Sequence, residues 1–258
     1  MKTTSLKIFY IFFILLFLYI PIITLIIYSF NDATYSTVWS GFTLKWYRHL
    51  AENDQLINAA LNSLIVAILS STIAVFLGTI TSVALYRYSF YWKKFLYYLI
   101  FIVLMSPDIV MGISWLMLFS FFNLDLGFLT LLLSHIAFSF PFVAIVIYSR
   151  LRGLDKYIVE AAYDLGAGDF IIFRYIIFPS ILPAVITSWL LSFTLSMDDV
   201  LVSFFVAGPT FDILPLRIYS MVKLGVKPDI NALSAIIFLF TIIIVVITQL
   251  ISWDKKRG

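Results

Sequence analysis

Two adjacent carboxylates, Asp198 and Asp199, stand inside the apolar run SFTLSMDDVLVSFFV at residues 192–206. A third, Asp108, stands inside another, MSPDIVMGIS at 105–114. An ionised carboxylate at the centre of a bilayer costs at least about 2.5–3.5 kcal/mol on insertion scales, so such groups are expected to face a partner or an aqueous path rather than lipid. On a helical wheel of about 100° per residue, Ser188, Ser192, Ser196 and Ser203 form a stripe that contains Asp199. Thr187 and Thr194 lie beside Asp198, while Leu190, Phe193, Met197, Leu201 and Phe204 fill the remaining arc. The polar half suits a water-accessible path or an interface with a neighbouring helix. At about 1.5 Å rise per residue, Asp198 lies roughly 22 Å from Pro183 and Asp108 roughly 20 Å from Phe95, a similar depth. Phe101, Leu104, Met111 and Trp115 share the predicted face of Asp108. Acids beside aromatic rings hold ammonium groups by ion pairing and cation–π attraction. Asp108, Trp115, Asp198 and Asp199 are therefore the candidates for a substrate path. A structural role competes: Asp198 could cap a kink or the end of its span, and Asp199 could bond to a partner subunit.

The elements that must position these groups are membrane helices. The chain is 62% hydrophobic and 12% charged, with a mean hydropathy of +1.05, where soluble domains carry about 45–50% apolar and about 25% charged residues. Apolar runs long enough to span, about 20 residues, are predicted at 8–30, 57–86, 95–122, 128–149, 183–205 and 232–252. The fold class is thus an all-α membrane protein of six transmembrane helices forming one domain, 1–258. The first run exceeds the apolar core of a signal peptide and lacks a small-residue cleavage site, so it reads as a retained anchor. The absence of strict alternation argues against barrel strands. There is no cysteine, which removes disulfides, thiolate nucleophiles and cysteine-bound metals. His49 and His135 are too isolated to form a metal site, and His135 reads as packed and hydrogen-bonded.

Lys and Arg set the orientation. Lys2, Lys7, Arg87, Lys93, Lys94, Arg150, Arg152, Lys156, Arg174, Lys255, Lys256 and Arg257 fall on one side, and Lys45, Arg48, Arg217, Lys223 and Lys227 on the other. Both termini are expected in the cytoplasm, with 31–56, 123–127 and 206–231 outside; the last should contain a short helix. Ser63, Ala67, Ser71, Ala74, Gly78 and Ser82 recur every three or four residues, a stripe along which another helix can approach closely. Pro107 should kink the third span.

Between the fourth and fifth spans, residues 150–180 are too polar to cross a membrane and too apolar for a plain loop. Leu154, Tyr157, Ile158, Ala161, Ala162 and Leu165 fall on one face of a predicted helix. Gly166 and Gly168 can end it and Asp169 can cap a second one. The expectation is two short helices with an elbow at the cytoplasmic surface, after which Pro179 and Pro183 mark entry into the fifth span. The small Ala161, Ala162 and Gly166 would permit close docking of a partner, and Glu160 could give it a charge-assisted bond.

Glu160-Ala161-Ala162, then Gly166, then Ile176-Ile177-Phe178-Pro179 resembles the EAA motif of permease subunits of binding-protein-dependent ABC importers, with Phe178 where leucine is usual. The stretches 29–31, 85–88, 105–114, 148–151, 191–200 and 213–226 resemble the C-type permeases of spermidine/putrescine importers. The resemblance implies the type I importer (MetI-like) permease fold in a bacterial inner membrane. It implies a homologous second permease, two copies of a cytoplasmic ABC ATPase and an external polyamine-binding protein as partners, and no nucleic acid. Glu160, Ala161, Ala162, Gly166 and Pro179 would couple to the ATPase. Catalytic residues are expected to be none, because no G-x-x-x-x-G-K-[ST] loop occurs; ATP and Mg²⁺ would be bound by the ATPase, leaving this chain without a cofactor.

Two rival readings have residues behind them. An importer for another solute, such as iron, a sugar or another cation, would share the elbow and the acids. Gly166-Ala167-Gly168-Asp169 with Tyr163-Asp164 also matches the signature of intramembrane aspartyl proteases. That chemistry needs two facing carboxylates within the membrane, whereas these lie in the polar elbow.

Overall fold

The computed structural model describes residues 2–33, 38–223 and 228–254. The expectations for Lys227, Lys255, Lys256 and Arg257 lie outside the described residues. The described chain is helical throughout, apart from loops and one isolated bridge between Asn31 and Phe42. It divides into two compact units, residues 1–57 with 217–258, and residues 58–216.

In the first unit α1 (Lys2–Tyr28) and α2 (Lys45–Ala51) pack against α12 (Pro228–Asp254). The loop between α1 and α2 is built on the fully buried Asn31. Its side-chain nitrogen donates to the Val38 carbonyl at 2.7 Å and its oxygen accepts from the Ser40 amide at 2.9 Å. Ser29 shares a 2.6 Å hydrogen bond with the Tyr47 hydroxyl. His49 sits on α2 and meets Asp229, in the first turn of α12, at 3.6 Å.

The second unit is organised around α3 (Asp54–Arg87), α6 (Phe128–Arg152) and α9 (Phe178–Asp198). The small-residue stripe of α3 does what its spacing predicts: Ser63, Ala67, Ser71, Ala74, Gly78 and Ser82 are all buried. A Cβ on Gly78 would stand 2.6 Å from Val143 Cγ1 of α6, and Ser82 Oγ donates to the Ala144 carbonyl at 2.7 Å. The serine stripe of α9 settles in the same way. Ser188, Ser192 and Ser196 are buried, whereas Thr187, Thr194 and Asp198 are exposed. The serine side of the polar arc is thus a helix interface, and the threonine side faces outward.

Two predicted spans are interrupted. The run at 95–122 forms α4 (Lys93–Leu104) and α5 (Asp108–Phe121), bent by 110° at residues 105–107. Pro107 has no amide hydrogen for the ladder and forces Ser106 away from helical geometry, so the expected kink is a full break. The run at 183–205 ends as α9 at Asp198 and resumes as α10 (Leu201–Val206). Four helices among the described residues are long and apolar enough to cross a bilayer, and the bent pair makes a fifth if taken as one span. Together with the apolar α12, this arrangement is compatible with six spans.

The ends of the second unit are chemically distinct. At one, Arg87, Lys93, Lys94, Arg150 and Arg152 stand in the first or last turn of a helix. At the other, Asn62 donates to the Asp212 carbonyl at 2.9 Å and Thr130 to the Val206 carbonyl at 2.8 Å. Gly208 (φ +71°) lies there against the Leu126 carbonyl, before the expected short helix, α11 (Leu214–Lys223).

Candidate functional site: an elbow and two helix breaks

The elbow begins at Asp155, whose carboxylate accepts the Tyr157 amide at 3.0 Å and caps α7 (Lys156–Asp164). It closes at Gly166, which adopts φ +79°. The Gly166 amide bonds to the Tyr163 carbonyl at 2.8 Å and the Ala167 amide to the Ala162 carbonyl at 3.0 Å. Those paired bonds are the Schellman closure, and the left-handed residue in it favours glycine. The apolar face read from the sequence divides in two. Ala162 is buried, and Leu154 and Val159 pack with it against Val143, Ile147 and Ile177. Tyr157, Ile158, Ala161 and Leu165 are exposed, Leu165 by 88%. Glu160 is also exposed. It stands at the rim of a hollow of about 360 Å³ shared with Arg87 and Tyr163.

Asp169 does not cap the next helix, since Gly168 holds that position. Asp169 is instead the first residue of α8 (Asp169–Ile172), and its carboxylate accepts from the Tyr163 hydroxyl at 2.6 Å. The Arg87 guanidinium, 12% exposed, binds the same carboxylate and the Tyr163 hydroxyl. It also donates to the Asp169 carbonyl at 3.3 Å. The carboxylate therefore faces a cation and a phenol, not the second carboxylate that an aspartyl protease needs. The second elbow helix is not separate from the fifth span either. α8 passes through a π turn, Phe173–Ile177, directly into α9. The exposed Pro179 near the start of α9 explains the turn: lacking an amide hydrogen, it cannot bond four residues back, and the ladder shifts register around it.

Each acid in the apolar runs lies at a helix break. Asp108 is the first residue of α5 and is exposed. Asp198 is the last residue of α9 and is exposed. Asp199 follows in an extended conformation, and its carboxylate caps α10. It accepts from the Val202 amide at 3.2 Å, the Ser203 amide at 2.7 Å and the Ser203 hydroxyl at 2.7 Å. Fully buried His135 stands 3.5 Å from it, with one ring nitrogen 2.6 Å from Ser196 Oγ and the other 2.9 Å from Ser203 Oγ. The capping role considered for Asp198 thus belongs to Asp199. Around Asp108, the break moves Phe101 and Leu104 onto a different helix, so only Met111 and Trp115 continue its face. Trp115 is half-buried and stacks on Phe119 at 5.4 Å between ring centroids. α5 crosses α10 at Gly112, where a Cβ would lie 3.3 Å from Val202 Cα and 2.6 Å from a Phe205 ring carbon. Among the described residues no three His, Asp or Glu side chains converge on a metal-sized site.

The family model for "binding-protein-dependent transport system inner membrane component" matches residues 74–253. The spermidine/putrescine transport system permease protein PotC of Escherichia coli (strain K12) is 54% identical over 242 residues, covering 94% of this chain and 92% of that protein. The protein of the same description from Haemophilus influenzae is 50% identical over 236 residues, 92% of each. The putrescine transport system permease protein PotI of Escherichia coli (strain K12) is 43% identical over 228 residues, 86% of this chain and 81% of that protein. Among solved structures, a bacterial ABC transporter that imports the acidic polysaccharide alginate aligns with TM-score 0.75 at 14% identity, over 97% of this chain and 95% of that one. The MetNI methionine ABC transporter in an inward-facing conformation aligns with TM-score 0.61 at 18% identity, over 78% and 93%. At those identities the structures establish the fold alone, the ABC-permease fold expected from the elbow motif. The chain belongs to the family of binding-protein-dependent transport system inner membrane components.

Proposed function

We propose that the chain is the permease subunit of an ATP-driven importer that moves spermidine and putrescine from an external binding protein into the cytoplasm. The observation that carries this is the elbow: a capped and Schellman-closed helix whose exposed Tyr157, Ile158, Ala161 and Leu165 have no covering element among the described residues. A contiguous exposed apolar patch marks an interaction surface, and Glu160 beside it supplies a charge for a partner's donors. The partner is an ABC ATPase, present in two copies, that binds ATP and Mg²⁺; one copy grips this elbow and the other a homologous second permease. Both termini lie in the cytoplasm, and so does the elbow. α8, the π turn and α9 form one continuous lever from the elbow to Asp198, so motion at α7 reaches the break where the acids stand. Asp108 and Asp198, exposed at two breaks, offer carboxylates to a flexible polycation. The substrate assignment draws on the likeness to the polyamine permeases of Escherichia coli and Haemophilus influenzae.

The test is uptake into vesicles that contain the chain with its sister permease and ATPase, supplied with the binding protein and ATP. Labelled spermidine or putrescine should accumulate only with ATP, and unlabelled polyamine should compete where a sugar or ferric iron does not. Accumulation of one of those competitors in place of polyamine would overturn the substrate assignment.

A further inference from the structure

At the basic end of the second unit, a hollow of about 270 Å³ opens between the ends of α3, α4 and α6. Lys93, Lys94 and Arg152 supply its charge, and Tyr97, Tyr98 and Tyr148 its walls. No carboxylate lines it. Lys93 donates to the Tyr88 carbonyl at 3.0 Å, which fixes one ammonium at the rim. Neither Lys94 nor Arg152 has an ion-pair partner among the described residues. Tyr97 and Tyr148 meet edge to face at 5.9 Å, so two of the aromatic walls brace each other.

Two neighbouring features fix the chemistry of the occupant. The turn before α4 exposes Tyr91 by 91% and Trp92 by 63%. Amphipathic rings so exposed belong at the headgroup level of a membrane. Immediately along α4, Phe95, Leu99 and Ile102 are exposed and apolar, a strip against which an acyl chain can lie. A cationic hollow at headgroup depth that continues into a greasy strip matches an amphiphile with an anionic head.

We infer that this hollow seats the headgroup of an anionic phospholipid of the cytoplasmic leaflet, with Lys93, Lys94 and Arg152 around the phosphate and the acyl chains along α4. The inference rests on the orientation proposed above. Basic pockets between helix ends on that side of a membrane are suited to acidic lipid headgroups. The hollow is separate from the elbow hollow of Arg87 and Glu160, so lipid occupancy is a property distinct from ATPase docking.

The experiment is native mass spectrometry of the assembled transporter in detergent, titrated with phosphatidylglycerol, phosphatidylcholine or soluble glycerol 3-phosphate. The expected result is retention of phosphatidylglycerol in preference to phosphatidylcholine, with no displacement by glycerol 3-phosphate. The double variant Lys94→Gln/Arg152→Gln should bind phosphatidylglycerol on the order of 25-fold more weakly, since each charge near such a surface contributes about 1 kcal/mol. Lys94→Arg/Arg152→Lys should restore binding. Equal retention of the two lipids by the wild type overturns the inference, and does so even if the charge-removing variant fails to assemble. Displacement by glycerol 3-phosphate at comparable concentration overturns the lipid assignment in favour of a free phosphate. A preference present in the permease pair stripped of ATPase but absent from the assembled transporter would assign the hollow to a protein partner and overturn it as well. None of these readouts depends on polyamine uptake, so the inference and the proposed function fail separately.

Discussion

Arg87, the last residue of α3, and Asp169, the first residue of α8, form an ion pair that ties the elbow to a long apolar helix. Tyr163 of α7 joins both partners, so three elements meet at one guanidinium. An elbow that only rested at the surface would need no such tie. An elbow that transmits force needs a stiff connection, because slack would absorb the stroke.

Arg87→Ala should therefore leave the complex assembled and hydrolysing ATP while lowering the ratio of uptake to hydrolysis. Roughly two- to thirtyfold is expected, the span of coupling changes of 0.5–2 kcal/mol. Arg87→Lys should recover only part of the ratio, because an ammonium cannot fork across a carboxylate and a phenol as a guanidinium does. Parallel measurement of ATP turnover and spermidine uptake in vesicles checks this; an unchanged ratio in Arg87→Ala would mean that the tie carries no force.

The three intramembrane acids should separate by assay. Asp199→Ala removes the cap of α10, costing about 0.5–2 kcal/mol, and strips partners from buried Ser203 and His135. It should reduce the amount of folded complex recovered. Asp108→Asn and Asp198→Asn remove exposed carboxylates that make no ion pair among the described residues, and should leave recovery intact. Each should lower uptake roughly tenfold, the worth of one charge-assisted contact. Purification yield read against transport decides the matter, and normal uptake in both asparagine variants would remove these acids from the path.

How much of this was legible beforehand depends on what enforces each feature. The stripe from Ser63 to Ser82 was readable because close helix approach demands small residues at fixed spacing. The elbow was readable because an amphipathic helix closed by Gly166 differs from lipid-facing sequence, although the Asp155 cap that opens it emerged only from the structure. Pro107 announced a kink, but not its size. The break at Asp199 carries no such mark: no proline or glycine stands there, and it is held by side-chain bonds to Ser203 and by His135 from a distant helix. An aspartate just ahead of LVSFF is nonetheless an N-cap signal. The reach of Arg87 to Asp169, across 82 residues of sequence, has no local signature at all. The register shift before Pro179 was equally hidden, because proline forbids one hydrogen bond without dictating its replacement.

Close packing gives a prediction about stability alone. Gly208 combines φ +71° with a Cβ position 2.4 Å from the Leu126 carbonyl oxygen. Gly208→Ala should cost at least about 2 kcal/mol, from backbone strain and overpacking together. Gly78→Ala should cost about 1–3 kcal/mol against Val143. Thermal unfolding of the purified complex checks both, and a variant as stable as the parent at either site would show that the packed segments can part there freely.

Because the chain has no cysteine of its own, single cysteines report contacts cleanly in intact cells. Tyr157→Cys, Ala161→Cys and Leu165→Cys place a thiol on the exposed elbow face, and Leu182→Cys and Ile186→Cys place one on the exposed side of α9. With a maleimide–benzophenone cross-linker, which couples to the thiol and on illumination inserts into any neighbouring C–H bond, the elbow positions should yield an adduct containing a nucleotide-hydrolysing subunit, and the α9 positions should not. Stable, inserted chains that give no such adduct from any of the three elbow positions would contradict the claim that this elbow receives the stroke of an ATPase.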